Sequence, residues 1–396
     1  MRVLRILGLG VAWGVGLLWA VRTAEWMRGM KSLPDLRMQP PAPKGAVSVI
    51  VPARNEARAV EDALVSLLAS REVDAEVIAV DDRSEDPTGV IVDWMTAQPR
   101  SERVHYAAEH VTSLPAGWLG KLHAMARGVA RSSGDWLLFT DADVIFSADM
   151  LARAVSWAEL EQADHLIVVP TLVARSAGER MMLPFLCALS IWGPRMWKVG
   201  DPEARDAAGL GAFNLMRRTA YEAVGGWEGL RTEVIEDLAM GVRLKRAGFR
   251  SRVAVGPGLI RIRWAVGAGG VIRNLTKNVF AAFRFRVELA ALAGAGLAVM
   301  CVLPFAGAAI GLRRDRAWLA PSLLSLTALA ALYRSHRRYA EDAGSMAWLA
   351  AFPVAAGVFL YAILRSSALT LARCGVEWRG TFYPLDELRR NMLPLQ

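Results

Sequence analysis

Apolar residues along this chain come in two kinds of run. The long ones stand near its two ends, at residues 3–21 and then at 289–312, 318–333 and 346–371. A helix needs about 20 apolar residues to cross a bilayer, so the first, second and fourth are long enough to span. The third suits a short span or a re-entrant helix. Between them, from about residue 44 to residue 277, short apolar runs alternate with helical periodicity, the rhythm of an α/β domain.

Within that middle region, residues 46–51 form a continuous run rich in valine, of the kind a buried parallel strand requires. A helix follows over 59–69, with Val60, Leu64, Leu67 and Leu68 on one face. Further strands are expected at 76–80, 104–106, 136–140 and 165–170. Helices are expected at 90–96, from 122, at 148–161 and at 238–247, the last stopped by Gly248. Residues 31–43 carry four prolines and no periodicity, so they read as a linker.

Composition adds the membrane. Hydrophobic residues make up 54% of the 396, high for a wholly soluble protein, and the excess lies in the long runs. The formal charge of +9 raises nucleic acid as a partner, but the basic residues gather beside the apolar runs: Arg2, Arg5, Arg22, Arg28 and Lys31, then Arg273, Lys277, Arg284 and Arg286. That placement favours anionic lipid headgroups and argues against nucleic acid. Cys187, Cys301 and Cys374 are scattered without a Cys-x-x-Cys, so neither a disulfide framework nor a zinc site is indicated. The first run is long for a signal core and lacks a small-x-small cleavage site, which favours an uncleaved anchor. A Met- and Trp-rich stretch over 179–200, broken by Pro184, Gly193 and Pro194, reads either as an interfacial segment or as domain core.

Chemistry collects where the strands end. The first stops at Pro52-Ala53-Arg54-Asn55-Glu56 and the second at Asp81-Asp82-Arg83. The apolar run from Trp136 ends in Asp141-Ala142-Asp143. Ligands in such sheets bind at the carboxyl ends of the strands. Two carboxylates one residue apart can hold a hard cation, Mg²⁺ or Mn²⁺, whose shell phosphate oxygens complete; a solvated turn is the plainer alternative. Lys121 opens a helix, where it either meets a phosphate or is simply solvated. Glu236-Asp237 opens another, as a good amino-terminal cap or as the seat of a general base. An exposed Asp237 would have an ordinary pKa near 4.

The ordered set Pro52 to Glu56, Asp81 to Asp86, Asp141-Ala142-Asp143 and Glu236-Asp237 resembles family 2 glycosyltransferases of the GT-A fold. The segment Gly117-Trp118-Leu119-Gly120-Lys121, the turn Gly225-Gly226-Trp227 and the tail Val376 to Tyr383 are similar to the hopene-associated, carotenoid-acid and ceramide glycosyltransferases. The resemblance implies a Rossmann-like α/β domain with a mostly parallel sheet over 44–264. Around it would lie an N-terminal transmembrane anchor (1–30), an amphipathic interfacial segment (265–287), C-terminal transmembrane helices (288–372) and a tail (373–396).

It also implies roles. Pro52, Ala53, Arg54, Asn55 and Glu56 with Asp81 and Asp82 would hold the nucleoside, and Lys121 would lie near the nucleotide. Asp141 and Asp143 would carry the metal and the sugar diphosphate, and Asp237 would be the base with Glu236 beside it. Arg263 and Trp264 occupy the end of a Gln-x-x-Arg-Trp pattern whose glutamine position holds Ile260, which weakens any case for polymerisation and leaves an acceptor or interface role for the pair.

The expected function is inverting transfer of a sugar from a nucleotide-diphosphate sugar, UDP-linked, to a hopanoid, carotenoid or sphingolipid-like acceptor. The setting would be a multi-pass inner-membrane protein with its catalytic domain in the cytoplasm. A processive polysaccharide synthase and a non-catalytic nucleotide-binding membrane scaffold are the two other readings.

Overall fold

The computed structural model describes residues 2–342, 345–378 and 380–392. Arg379, in the middle of the tail motif, lies outside them. The chain begins with helix α1 (Arg2–Ser32) and then alternates: β1 (Val47–Ala53), α2 (Val60–Leu68), β2 (Ala75–Asp82), α3 (Thr88–Trp94), β3 (Val104–Val111), α4 (Gly120–Ala130), β4 (Trp136–Phe139). Next come β5 (Val144–Phe146), α5 (Met150–Leu160), β6 (His165–Val169), β7 (Thr171–Val173), α6 (Ala177–Leu189), β8 (Asn214–Arg217), α7 (Arg218–Ala223) and α8 (Glu236–Arg246). Strands β9 (Ser251–Val255) and β10 (Ile260–Ile262) lead to helices α9 (Gly267–Ala282), α10 (Val287–Arg313), α11 (Leu319–His336) and α12 (Phe352–Ala372).

Two compact units result. One gathers residues 33–172, 196–264 and 387–396, the other 1–32, 173–195 and 265–386. In the first, seven strands form one sheet in the order β3-β2-β1-β4-β8-β6-β9. It is mostly parallel: β1 runs parallel to β2 and β4, and β2 to β3, while β8 runs against both β4 and β6. Every residue of β1 is buried, as expected of a central strand covered by helices on both faces. The apolar faces of β1, β2, β4 and α2 meet in one core with Val49, Val51, Leu64, Leu67, Val77 and Leu138. Helix α4 lies tight on the sheet because it has a glycine there: a Cβ on Gly128 would stand 2.5 Å from the Ile50 side chain.

A second, smaller layer pairs β10 antiparallel with β5 and parallel with β7. Ile260 on β10 sits opposite Phe146 and is fully buried in the core, which explains why an apolar side chain stands where an amide was looked for. The expected linker over 31–43 is corrected. The Val255 N–H donates to Pro34 O at 2.8 Å, Leu36 is fully buried and Arg153 reaches the Arg37 carbonyl, so this stretch is strapped onto the domain. Its prolines suit an extended strap as well as a linker.

The other unit is helical. Helix α1 packs along α11, and α10 packs against α11 and α12. Among the described residues, three segments, Arg2–Ser32, Val287–Arg313 and Met346–Ala372, are long and apolar enough to cross a membrane. Helix α11 is uninterrupted and buries Ser322, Ser325, Leu329 and Leu332. The Met- and Trp-rich stretch divides between the units. Its helix α6 belongs to this one, burying Met182, Leu183 and Phe185, with Trp192 edge-on to Trp19 at 5.3 Å. Glu179 fastens α6 to α9: its carboxylate completes a capping box with Ser176 and accepts the Gly267 N–H at 2.7 Å. In the tail, Gly375–Trp378 pairs antiparallel with Thr381–Pro384.

Replacing Gly128 by valine is expected to lower the thermal midpoint of the full chain, by the equivalent of roughly 1–3 kcal/mol, because the added atoms have no room. An unchanged midpoint would contradict the close packing of α4 on β1.

Candidate active site

The loops that follow β1 and β2 are stitched to each other. Asn55, in the left-handed region at φ 55°, donates its N–H to Ser84 Oγ at 2.9 Å and accepts the Glu85 N–H at 2.8 Å. The Glu56 N–H donates to Thr88 Oγ1 at 2.7 Å, and Asp86 accepts N–H groups from Thr88 and Ala57. Burial opposes the Asp86 charge, yet the bonds from Thr88 and Ala57 outweigh it and hold that carboxyl below its usual range.

Asp81 and Asp82 are neighbours on a strand, so their side chains leave on opposite faces and take different work. Asp81 accepts the Ser84 N–H at 3.3 Å, and its other oxygen lies 3.3 Å from Nδ1 of His110, its partner in register on β3. Asp82 faces the start of α4. It accepts from Arg83 Nε at 2.8 Å, with Arg54 at 3.9 Å, and a Cβ on Gly120 would come within 2.4 Å of its carboxylate.

Between β4 and β5 lies the turn with Asp141 and Asp143. Residues 209–212 hold it by their backbone. The Asp141 N–H donates to Gly211 O at 3.1 Å, and Thr140 Oγ1 donates to Ala212 O at 2.9 Å. The same stretch touches the start of α8, where a Cβ on Gly209 would stand 1.8 Å from Asp237 O. Only glycine allows one strand of backbone to lie against both the acidic turn and the helix start.

Across this junction reaches Lys121, the second residue of α4. Its Nζ lies 2.7 Å from Asp141 Oδ1 and 2.6 Å from Glu236 Oε1, so three elements distant in sequence meet at one ammonium. Burial disfavours the Lys121 charge, but Asp141 and Glu236 outweigh it and hold the pKa above that of an ordinary lysine. On Asp143 the same ammonium acts only as the smallest of several opposing charges and bonds. Burial first, then the charges of Asp141 and Glu56, push its carboxyl up to about 7.

Asp237 stands next to Glu236 and is also pushed up to about 7, by burial and then by the Glu236 charge, with Lys121 opposing. The expectation of an ordinary value near 4 assumed an exposed carboxylate and is corrected. Its Oδ1 accepts the Leu238 N–H at 2.7 Å, which fixes its direction at the helix start.

Asp141, Lys121, Glu236 and Asp237 thus come together, with Asp143 and Glu56 within electrostatic reach. Asp82, Arg83, Arg54 and Gly120 form an adjoining set. Pro52 and Ala53 close β1, while Arg263 and Trp264, just beyond β10, are half-buried. Arg83 and Thr88 stand in the run after the second strand without a role of their own there, and nothing in the sequence pattern points to His110, Gly209 or Gly211 beyond the close spacing of the two glycines before a short apolar strand.

A divalent ion is a chemical fit to Asp141 and Asp143: both offer hard oxygen, and a cation there would relieve the crowding of Asp143 by the charges of Asp141 and Glu56. Among the described residues no group of three or more His, Cys, Asp or Glu side chains forms a ready-made cage. The pair would therefore be a partial shell, the kind that Mg²⁺ or Mn²⁺ completes with water and phosphate oxygen.

Residues 48–225 match the profile described as Glycosyl transferase family 2. Among curated proteins, a 4,4'-diaponeurosporenoate glycosyltransferase of Staphylococcus haemolyticus (strain JCSC1435) is 25% identical over 59% of this chain and 61% of its own length. The enzyme of the same name from Staphylococcus aureus (strain MRSA252) is 25% identical over 50% of each chain, so the match spans about half to three-fifths of these relatives. Among solved structures, the mannosyltransferase PcManGT from Pyrobaculum calidifontis, in complex with GDP-Man and Mn²⁺, superposes with a TM-score of 0.53 at 21% identity. That superposition covers 92% of this chain and 96% of the other, and it shows the fold to be shared.

Replacing Asp86 by alanine is expected to destabilise the chain by about 1 kcal/mol at neutral pH through its lost loop bonds. The Asp86 pKa is depressed in the folded state, so its contribution is present above the unfolded value and fades as pH falls through the folded one. Thermal melts of both proteins at several pH values should converge at the acid end. A gap that widens there would refute the assignment.

Proposed function

We propose that this chain, which carries a Glycosyl transferase family 2 domain, moves a sugar from a nucleotide-diphosphate sugar, uridine-linked, to a membrane lipid with inversion at the anomeric carbon. The observation that carries the reading is the convergence of Asp141, Lys121, Glu236 and Asp237 from three separate elements. A site that must hold a diphosphate and remove a proton beside it needs these groups together.

In this reading the loops after β1 and β2, with Arg54, Asn55, Glu56, Asp81 and Asp82, receive the nucleoside. Asp141 and Asp143 would hold the divalent ion, which supplies charge stabilisation to a departing diphosphate. Asp237, pointed by its bond to the Leu238 N–H, takes the proton from an acceptor hydroxyl as that oxygen attacks the anomeric carbon. Glu236 is spoken for by Lys121, which leaves Asp237 as the base. A single displacement inverts the centre.

Support for a lipid acceptor comes from two directions. The relatives are named for a carotenoid acid, and among the described residues three segments are long and apolar enough to span a membrane. Nucleotide sugars are cytosolic, and Arg22, Arg28 and Lys31 stand in the carboxyl-terminal part of the first such segment, after its apolar run 3–21, consistent with a cytoplasmic catalytic domain. Ile260 stands where the Gln-x-x-Arg-Trp pattern has glutamine, and the missing amide weighs against chain polymerisation.

Replacing Asp237 by asparagine is expected to lower transfer by about a hundredfold or more. Activity within about threefold of wild type would remove Asp237 from the mechanism. Because the base must be ionised and its carboxyl is pushed up to about 7, kcat/KM should rise with pH through that region and level off above it. A profile flat from pH 5 to 8 would contradict this. Chelation by EDTA should abolish transfer, and Mn²⁺ or Mg²⁺ should restore it. Membranes given labelled UDP- and GDP-sugars should pass label into the organic phase; label confined to water-soluble product would sink the lipid acceptor.

A further inference from the structure

A lysine opening a helix beside a phosphate site would be expected to wait for phosphate in solvent. Lys121 does not. Its ammonium is already bound, 2.7 Å from Asp141 Oδ1 and 2.6 Å from Glu236 Oε1. Asp141 is the carboxylate to which the divalent ion is assigned. Its N–H is tied to Gly211 O at 3.1 Å, and its Oδ2 lies against Gly211, where a Cβ would come within 2.7 Å. The oxygen away from that backbone is the one Lys121 holds. Two cations at one carboxylate oxygen repel strongly in a partly desolvated site. Glu236, whose side chain is only 8% exposed, needs a cation to remain a buried charge and so keeps Lys121 in place.

We propose that Lys121 is a resident cation that keeps a divalent ion off Asp141 until a donor's diphosphate draws the ammonium away, so that metal and diphosphate enter together. This rests on the functional reading above. Without donor, one ammonium is shared by the Asp141 and Glu236 carboxylates. With donor, Asp141 and Asp143 would hold the ion, while Lys121 would keep Glu236 and turn its other side to a phosphate oxygen at the amino-terminal end of the 11-residue α4, where anions are favoured. Glu236 is then a positioning residue acting through Lys121.

The test is Mn²⁺ binding to the full chain in detergent micelles, read from the resonance signal of free Mn²⁺, with Mn²⁺ alone and with UDP or GDP added. Wild type is expected to bind Mn²⁺ alone at least about tenfold more weakly than with the nucleotide, a coupling of ordinary size between linked sites. Lys121→Met should bind Mn²⁺ alone about tenfold more tightly than wild type, and nucleotide should then add less. Lys121→Arg, which keeps the charge, should stay near wild type, and Asp141→Asn should lose Mn²⁺ in both backgrounds. If Lys121→Met binds Mn²⁺ alone no more tightly than wild type, the proposal is overturned. Wild type holding Mn²⁺ equally well with and without nucleotide overturns it too, and needs no variant. A Lys121→Met gain that Asp141→Asn cancels, in a protein that transfers no sugar, would uphold this inference while refuting the transferase reading. Failure of wild type and Lys121→Met alike to hold Mn²⁺ with either nucleotide would remove both.

Discussion

One ammonium group ties the domain's chemistry into a single place. Lys121 on α4, Asp141 between β4 and β5, and Glu236 on α8 are brought within 2.7 Å of one nitrogen, although 115 residues of chain separate the first from the last. Charges half out of water are costly unless paired, and removing one partner of such a set leaves the others stranded. The elements around it are shaped accordingly. Gly120 lets α4 start against Asp82, Gly211 lets the backbone lie on Asp141, and Gly209 lets it pass the α8 start.

The sheet explains why the cleft forms where it does. Parallel β1, β2 and β4 point their carboxyl ends the same way, so three loops rich in carboxylates emerge along one edge. Strand geometry then divides Asp81 from Asp82. One is turned toward His110 and the Ser84 backbone, where it steadies the loop, and the other toward Arg83, Arg54 and the start of α4. Two adjacent and chemically equal residues thereby do unlike work.

In the helical unit the same economy of polar groups is visible. Glu179 is fully buried, and its two oxygens satisfy the amino-terminal groups of α6 and of α9 at once, groups that a helix end leaves without partners. A helix drawn from the middle of the chain, between β7 and β8, is in this way joined to those drawn from its end. The pairing of Trp19 with Trp192 and the bond from Arg22 to the Ile191 carbonyl continue the connection to α1.

Much of this was legible along the chain because it rests on local pattern. Valine-rich runs announced β1 and β2, the apolar run from Trp136 announced β4, and the acidic groups stood at strand ends and a helix start. Their order carried the family resemblance. What the sequence could not disclose were properties belonging to neighbours in space. Residues 31–43 look like a linker until Val255 pairs with Pro34, and the 179–200 stretch divides between units by packing that no periodicity records. Asp237 looks ordinary until burial and Glu236 raise its affinity for a proton. Hydrophobic period and turn chemistry act over a few residues, so the sequence alone determined the elements and the edge where they end. The state of each charge depends on what else is folded within a few ångströms of it, and that only the tertiary structure decided.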